Sequence, residues 1–350
     1  MSAGERERQQ LNEVSARLGS DAELVQAAGG NTSVKQNGVM WIKASGTWLM
    51  HANEKNIMVP VDLDPLLEAL GRNDPAAEKA QGFVIESDNP SGLRPSIETT
   101  VHAVFDYKFV LHVHCIQSIA VAVLADAEAV LAKKLAGLNW KYVPYVRPGL
   151  PLSRSIAEVL SPDTNVVILG NHGLVVAGNT LDEAERLIAA VRSRLTASAR
   201  KSIAPDVNAL KERAESGDYV LPRHESTHLV ATDLISCDIA RRGSLYPDHV
   251  IFLGAGSVVA QPDEGAAQVC QREVEAGKQV PVSILFPGLG ILMNRSANVS
   301  AHAMAQCLSD VVRRIPKNAD LRYLTYQEDD ALLNWDAEIY RQALSKKRSE

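Results

Sequence analysis

Val110-Leu111-His112-Val113-His114 places two histidines, two residues apart, inside an apolar and β-branched run. Such a run is typical of a strand, and side chains at positions i and i+2 of a strand point to the same face. His112 and His114 could therefore bind one cation together, at the ~2.0–2.1 Å that imidazole nitrogens keep from zinc.

A third histidine follows in Asn171-His172-Gly173, between two short apolar runs that predict strands. Three histidine ligands leave positions open on a metal, which is typical of a catalytic site and not of a structural one. From the residues alone, the alternative is that all three are ordinary buried histidines held by hydrogen bonds.

Length, charge and cysteine content limit the class of protein. A chain of 350 residues predicts one large domain and a smaller one. The net charge of −6 argues against general nucleic-acid binding, which needs a basic face. The polar N-terminus is not a signal peptide, and no apolar run of about 18 residues predicts a membrane span. The four cysteines are widely spaced, which argues against a disulfide framework or a thiolate zinc site and favours a cytoplasmic protein; they are Cys115, Cys237, Cys270 and Cys307.

Hydrophobic periodicity and turn residues predict alternating helices and strands. Ala28-Gly29-Gly30-Asn31-Thr32-Ser33 is predicted to be a loop, and Ser96 to cap a helix that carries Glu98. Thr180-Leu181-Asp182-Glu183 matches a capping box. The other predicted helices are residues 5–18, 118–135, 153–160, 264–276 and 299–314, and the predicted strands are 39–43, 58–61, 109–114, 166–169, 174–176, 249–254 and 282–286.

The mixed, Pro-containing region 201–224 predicts a boundary between a catalytic domain over residues 1–205 and a smaller α/β domain over residues 225–345. Val166 to Val176 is echoed by Val282 to Leu292, and an Ala-rich helix is predicted after each. The second domain is therefore interpreted as a degenerate partial repeat, in which Pro287 replaces His172. Chance similarity is the alternative for so short a match.

Three further elements carry polar groups that suit a reaction site. Glu98 precedes the histidine strand, and a carboxylate near a metal-bound substrate can take or give a proton; the alternative is a solvent-exposed glutamate. The glycines of Gly29-Gly30-Asn31-Thr32-Ser33 allow backbone N–H groups to hold an anion. Lys43-Ala44-Ser45-Gly46 adds a cation and a hydroxyl. Each of the two glycine-containing segments is also explained as an ordinary turn, and neither is a Walker or dinucleotide loop.

Taken in order, these segments resemble the class II aldolase/adducin family, and the match runs from about residue 8 to residue 200. The whole chain, with Pro247-Asp248-His249 and Phe286-Pro287-Gly288-Leu289-Gly290, is similar to the aldolase portion of bifunctional rhamnulose-phosphate aldolase/short-chain dehydrogenase proteins, without their dehydrogenase half. The motifs that carry the resemblance are Gly29-Gly30-Asn31-Thr32-Ser33, Lys43-Ala44-Ser45-Gly46, Pro95-Ser96-Ile97-Glu98, His112-Val113-His114 and Asn171-His172-Gly173-Leu174.

The resemblance implies a three-layer α/β/α fold with a mainly antiparallel central sheet. It implies a divalent metal on His112, His114 and His172, with zinc as the first choice and manganese, cobalt or iron as alternatives. It implies that Glu98 is the acid/base and that the protein is a homo-oligomer, tetrameric as in most enzymes of the family. The residues expected to bind the substrate or its phosphate are Gly30, Asn31, Thr32, Lys43, Ser45, Gly46 and Ser96.

The function that the resemblance implies is a metal-dependent aldolase acting on a small ketose or sugar acid, with a phosphorylated substrate as the first candidate. A metal that binds the carbonyl and adjacent hydroxyl can stabilise the enediolate left by C–C cleavage. The alternatives are a decarboxylase, dehydratase or epimerase of the same fold and, in another class, a non-catalytic adducin-like module. The retained histidines and Glu98 argue against that module.

Two departures from the family pattern concern the substrate. Ile97 stands where the sugar-phosphate aldolases have a second serine, so one phosphate-binding hydroxyl is missing. The catalytic tyrosine of some members has no assigned counterpart, and Tyr323, Tyr326 and Tyr340 are the candidates. Glu98 stands where the epimerase branch has aspartate, which favours aldol-type or decarboxylase chemistry.

Overall fold

The histidine strand lies at the centre of a seven-stranded sheet in a computed structural model that describes residues 2–214 and 217–336. The strand order is β3-β2-β1-β4-β7-β6-β5, and neighbouring strands are antiparallel except β5 and β6. The predicted α/β fold with a mainly antiparallel sheet is therefore confirmed. The strands are β1 (Asn31–Gln36), β2 (Val39–Lys43), β3 (Met58–Asp62), β4 (Phe109–Val113), β5 (Trp140–Val143), β6 (Val166–Leu169) and β7 (Gly173–Gly178).

Helices cover both faces of this sheet. On one face, Val110 and Val175 pack with Phe105 and Ile156 in a buried cluster. On the other face, helices α1, α4 and α7 contact the central strands, which completes three layers. The helices of this part are α1 (Ala3–Gly19), α2 (Leu63–Gly71), α3 (Thr99–Ala103), α4 (Ile116–Ala122), α5 (Ala127–Lys134), α6 (Leu150–Val159) and α7 (Leu181–Leu195).

The register between β1 and β4 decides which polar side chains share a face. Asn31 lies directly opposite His112, and Thr32 lies opposite Leu111. Since successive strand residues alternate faces, Asn31 and His112 point toward α3, whereas Thr32 points toward α1.

Two compact units divide the described residues: residues 2–122 with 127–196, and residues 123–126 with 197–214 and 217–336. The second unit has a smaller sheet of order β8-β11-β10-β9. The catalytic and smaller domains at 1–205 and 225–345 stay predictions. The strands of the second unit are β8 (Tyr219–Val220), β9 (Val258–Val259), β10 (Ser283–Phe286) and β11 (Gly290–Asn294). Its helices are α8 (Val207–Arg213), α9 (Leu229–Thr232), α10 (Leu234–Arg241), α11 (Pro247–Leu253), α12 (Ala266–Glu275), α13 (Val299–Val312) and α14 (Tyr326–Leu333). No helix among the described residues is both long and apolar enough to cross a membrane.

The two segments interpreted as a repeat each form an antiparallel hairpin followed by a helix. Leu169 pairs with Gly173, and Phe286 pairs with Gly290, so both hairpins have turns of the same length. This register makes Leu289 the counterpart of His172, so the predicted counterpart, Pro287, was wrong. The repeat itself stays a hypothesis.

Two element predictions were wrong because sequence pattern alone does not reveal tertiary pairing. Residues 31–33, predicted as loop, begin strand β1, whose polar side chains are satisfied by neighbours in the fold. Residues 249–254, predicted as a strand, lie in helix α11 and the following Gly254. Every residue of this helix is buried, so the run has no helical periodicity to read.

Three other boundaries differ from the prediction. The predicted helix 118–135 is divided into α4 and α5, because residues 123–126 belong to the second unit, where Leu124 bridges to Leu321. Helix α6 begins at Leu150, with a proline in its first turn, where proline is tolerated. Helix α3 begins at Thr99 with Glu98 as its N-cap, whereas Ser96 was predicted to be the cap.

Candidate metal centre

Three histidines converge at the ends of the central strands. His112 lies on β4, His114 follows this strand directly, and His172 lies in the turn between β6 and β7. One nitrogen of each ring lies within 4.8 Å of the others, and the Nε2 atoms of His112 and His114 are 3.1 Å apart. All three rings are buried. The structure therefore brings the three predicted ligands together.

The ring of His112 is held in the tautomer that a metal requires. Its Nδ1 lies 3.0 Å from the carbonyl oxygen of Leu174. Because a carbonyl only accepts, Nδ1 carries the proton and donates, and a neutral ring then has its lone pair on Nε2. That lone pair faces the Nε2 atom of His114.

Backbone geometry at two glycines and one asparagine allows this approach. Gly30 has a φ of +62°, and a Cβ there would lie 2.7 Å from the carbonyl oxygen of His112. A Cβ on Gly173 would lie 2.7 Å from the carbonyl oxygen of Val113. Asn171 has a φ of 52°, a conformation that asparagine tolerates better than most residues.

The Glu98 carboxylate lies beside the histidine nitrogens. Its Oε2 is 3.4 Å from Nε2 of His112, and its Oε1 is 3.5 Å from Nε2 of His172. Burial by itself raises the pKa of Glu98, but positive charge on His112 and His172 when these rings are protonated outweighs burial and lowers the pKa to about 2. The carboxylate is therefore ionised at neutral pH.

These residues fit a divalent cation. Three imidazoles and a carboxylate are donors that such metals use. The buried Oε1 of Glu98 accepts no hydrogen bond from the residues that the structure describes, although it is an ionised oxygen. A cation bound by His112, His114 and His172 would compensate that charge.

A hydrogen-bonded chain holds Glu98 from the other side. Asn31 Nδ2 donates to Glu98 Oε2 at 2.8 Å and to Ser96 Oγ at 3.1 Å. The Ser96 hydroxyl oxygen also accepts from the backbone N–H of Glu98 at 3.2 Å. Asn31 Oδ1 accepts from His102 Nε2, and His102 Nδ1 lies 2.7 Å from the Ser33 hydroxyl.

His102 is the polar residue of this chain of contacts that sequence reasoning missed. It is fully buried on α3, and burial lowers its pKa to about 3, so the ring is neutral. Its position four residues after Glu98, on the same side of a helix, was the available signal.

Lys43 and Thr32, which were also predicted to bind the substrate, make hydrogen bonds to groups other than Glu98. Lys43 is buried, and its ammonium group donates to the carbonyl oxygens of Ala28 and Gly30 at 2.7 and 2.9 Å. The Thr32 hydroxyl lies 2.7 Å from the Ser15 hydroxyl, on the opposite face of β1. Asn31 and Ser96 therefore join Glu98, whereas the Thr32 side chain is directed away and Lys43 supports the glycine loop.

Ser45 and Gly46 lie in the turn after β2. The Ser45 N–H donates to the carbonyl oxygen of Arg94 at 2.9 Å, and Gly46 has a φ of +70°. Their role in substrate binding stays a prediction.

The candidate tyrosines belong to the C-terminal part of the chain. The Tyr323 hydroxyl donates to the carbonyl oxygen of Ile239 at 3.0 Å, and Tyr326 is 80% exposed. Tyr340 lies outside the described residues.

Comparison with protein families identifies the class. The family model for the Class II Aldolase and Adducin N-terminal domain matches residues 9–196, more than half of the chain. The chain belongs to this family, as the order of its motifs predicted.

One curated relative was found. The chain is 35% identical over 178 residues to the uncharacterized oxidoreductase YuxG of Bacillus subtilis (strain 168). The match covers 47% of this chain and 25% of that protein, so the chain spans about a quarter of the length of this curated relative.

Solved structures were also matched, among them the following two. The N-terminal class II aldolase domain of a conserved protein from Thermoplasma acidophilum is 29% identical, with a TM-score of 0.47, covering 53% of this chain and 90% of that one. An aldolase II superfamily protein from Pseudomonas syringae is 23% identical, with a TM-score of 0.43, covering 56% of this chain and 74% of that one.

Proposed function

We propose that this protein is a divalent-metal-dependent carbon–carbon lyase, which cleaves or forms a bond in a small ketose or sugar acid. A phosphorylated sugar is the first candidate substrate. The observation that carries this proposal is the ionised Glu98 carboxylate, within 3.5 Å of two of the three convergent histidine nitrogens. A proton acceptor next to a cation site suits a reaction in which charge develops beside a carbonyl.

His112, His114 and His172 would hold the cation, with zinc as the first choice and manganese, cobalt or iron as alternatives. When bound, the metal would polarise the substrate carbonyl and stabilise the negative charge that develops next to it. Neutral imidazoles leave the full charge of the ion available for that purpose.

Glu98 is assigned the proton transfer. In the direction of synthesis the ionised Glu98 removes a proton from the carbon next to the carbonyl. In cleavage Glu98 first takes up a proton from solvent and passes it to that carbon after the C–C bond breaks. The hydroxyl on the carbon that becomes the aldehyde loses its proton to a second group, the role for which the tyrosines are candidates. Asn31 and Ser96 keep the Glu98 carboxylate in place, and its burial excludes bulk water.

The assembly and setting of the enzyme belong to the same proposal. We expect a cytoplasmic homo-oligomer, tetrameric by the family resemblance, with its chemistry in residues 1–205. Apart from the candidate tyrosines Tyr323, Tyr326 and Tyr340, the domain over residues 225–345 is assigned no catalytic group.

Metal analysis and a substrate panel test the proposal. The purified protein is expected to contain about one divalent ion per chain or to take it up after exposure to zinc, manganese or cobalt. The loaded enzyme is then incubated with ketose 1-phosphates and with the unphosphorylated ketoses. Formation of an aldehyde together with dihydroxyacetone phosphate or dihydroxyacetone supports the lyase.

Other products would overturn this assignment. Release of carbon dioxide from a sugar acid indicates a decarboxylase, and loss of water indicates a dehydratase. An isomeric sugar without aldehyde indicates an epimerase. A chain that is fully stable, takes up no metal and converts no substrate would fit the non-catalytic module.

A further inference from the structure

The side-chain amide of Asn31 uses both of its N–H groups and its oxygen in hydrogen bonds to neighbouring side chains. Its two N–H groups donate to Glu98 Oε2 and to Ser96 Oγ. Its oxygen accepts from His102 Nε2. If the amide turned over, its oxygen would face the Glu98 carboxylate at 2.8 Å. An ionised carboxylate only accepts hydrogen bonds, so that contact would be repulsive and the amide has one orientation.

His102 itself is held in one tautomer. Because Asn31 Oδ1 only accepts, Nε2 of His102 carries the proton. In the neutral ring Nδ1 is then the acceptor, and it lies 2.7 Å from the Ser33 hydroxyl, which donates to it. The ring is fully buried, so no water competes for either nitrogen. The chain of hydrogen bonds runs from Ser33 through His102 and Asn31 to Glu98.

We propose that His102 is a positioning residue that orients the Asn31 amide and, through it, the Glu98 carboxylate. This role rests on the function proposed above, in which Glu98 transfers the proton. Among the residues that the structure describes, His102 forms hydrogen bonds with Asn31 and Ser33 and with none of the three histidines, so it acts through Asn31. With Oε2 of Glu98 held by Asn31, Oε1 is directed to His172 and the cation site.

The first test measures the amide directly, with the full-length protein labelled with ¹⁵N at asparagine and with the signals assigned by loss in Asn31→Ala. Hydrogen exchange of the Asn31 NH2 group is followed with and without zinc. In His102→Leu we expect exchange about tenfold faster, in line with the loss of one hydrogen bond. His102→Gln keeps an N–H donor toward Asn31 and is expected to restore slow exchange.

The second test uses turnover of the metal-loaded enzyme. His102→Leu should lower kcat about 10–100-fold, the usual effect of losing a partner of a metal site, with KM unchanged. His102→Gln should recover most of that loss. In a Glu98→Gln background, His102→Leu should reduce kcat by less than about threefold more, because its effect passes through Glu98. Ser33→Ala should also lower kcat, but less than His102→Leu does. It replaces His102→Leu in the test if the leucine variant does not fold.

Thr100→Val is the matched control, since Thr100 is buried on the same helix and its hydroxyl has no hydrogen-bond partner among the described residues. It should leave both exchange and kcat unchanged. The proposal is overturned if hydrogen exchange of the Asn31 amide is unchanged in His102→Leu. It is also overturned if His102→Leu and His102→Gln lose kcat equally, or if His102→Leu lowers kcat in the Glu98→Gln background as much as it does in the wild type. If the wild type converts no substrate, the proposed function is wrong, and the exchange measurement still decides whether His102 orients Asn31.

Discussion

Asn31 on β1 and His112 on β4 lie directly opposite each other in the sheet. His112 is a predicted ligand of the cation, and Asn31 donates a hydrogen bond to the Glu98 carboxylate. A single strand pair thereby sets the distance between the candidate cation site and Glu98, the residue to which we assign the proton transfer. The effects of substitutions at these positions can be separated by measuring metal content, turnover and stability independently.

His114→Ala is expected to remove the metal and the activity while leaving the protein folded, because His114 follows β4 and forms none of its strand pairs. The measurements are metal stoichiometry, turnover and thermal unfolding. His51→Ala is the matched control, since His51 lies away from β4 in the chain and is paired with the nearby Glu54 at 3.3 Å. Unchanged metal content in His114→Ala would refute its assignment as a ligand.

Glu98→Gln is expected to keep the metal but to slow turnover by roughly 10²–10⁴-fold, because the amide cannot take a proton. The substitution preserves the size of the side chain and lets its oxygen accept from Asn31. Steady-state kinetics at saturating substrate and metal analysis are the measurements. A rate near that of the wild type would place the acid/base elsewhere.

Gly30→Ala is expected to weaken metal binding and to destabilise the fold by about 1–3 kcal/mol, the range for a strained backbone residue. The new Cβ would meet the carbonyl oxygen of His112 at 2.7 Å. Gly92→Ala is the control, because Gly92 has a similar φ of +57° but open space around it. If both variants lose equal stability and bind metal equally, the close contact with His112 is unimportant.

Thr32→Val is expected to leave KM unchanged, because the Thr32 hydroxyl pairs with Ser15 on the face of β1 away from the histidines. Loss of this buried hydrogen bond should lower the free energy of unfolding by about 0.5–1.5 kcal/mol. Denaturant titration and a KM measurement check the two effects. A large rise in KM with unchanged stability would restore Thr32 to the substrate-binding residues.

Asp329 provides a test of pH dependence in the second unit. Burial raises its pKa from 3.8 to about 6, although the Ser244 hydroxyl donates to it at 3.0 Å. The folded state therefore holds this proton more tightly than the unfolded state, and stability falls as pH rises from about 4 to 6.

Asp329→Asn should remove that contribution, so the variant gains stability relative to the wild type as pH rises through this window. Urea unfolding of both proteins at pH 4, 5, 6 and 7 gives the difference directly. A stability difference that is constant over this range would contradict the raised pKa.

The sequence was sufficient for the parts of the site that follow from local rules. Alternation along a strand placed His112 and His114 together, and the order of motifs identified the family. The direction of the Thr32 side chain could not be predicted, since Asn31-Thr32-Ser33 looks like a turn until its pairing with two neighbouring strands is known. The contacts of Lys43 and His102 depend in the same way on distant parts of the chain. Helix α11 was not predicted because all of its residues are buried, so its sequence shows no alternation of apolar and polar residues with the period of a helix.

The central position of β4 has a consequence for how metals exchange. Because the sheet already fixes His112 between two neighbouring strands, a cation that enters has little ordering entropy to overcome, and one that leaves does not melt the strand. Under the proposed function, the empty and loaded proteins should therefore share one architecture. Different divalent ions could then replace one another at the same three histidines, and the supply of metals in the cell would decide which one is used.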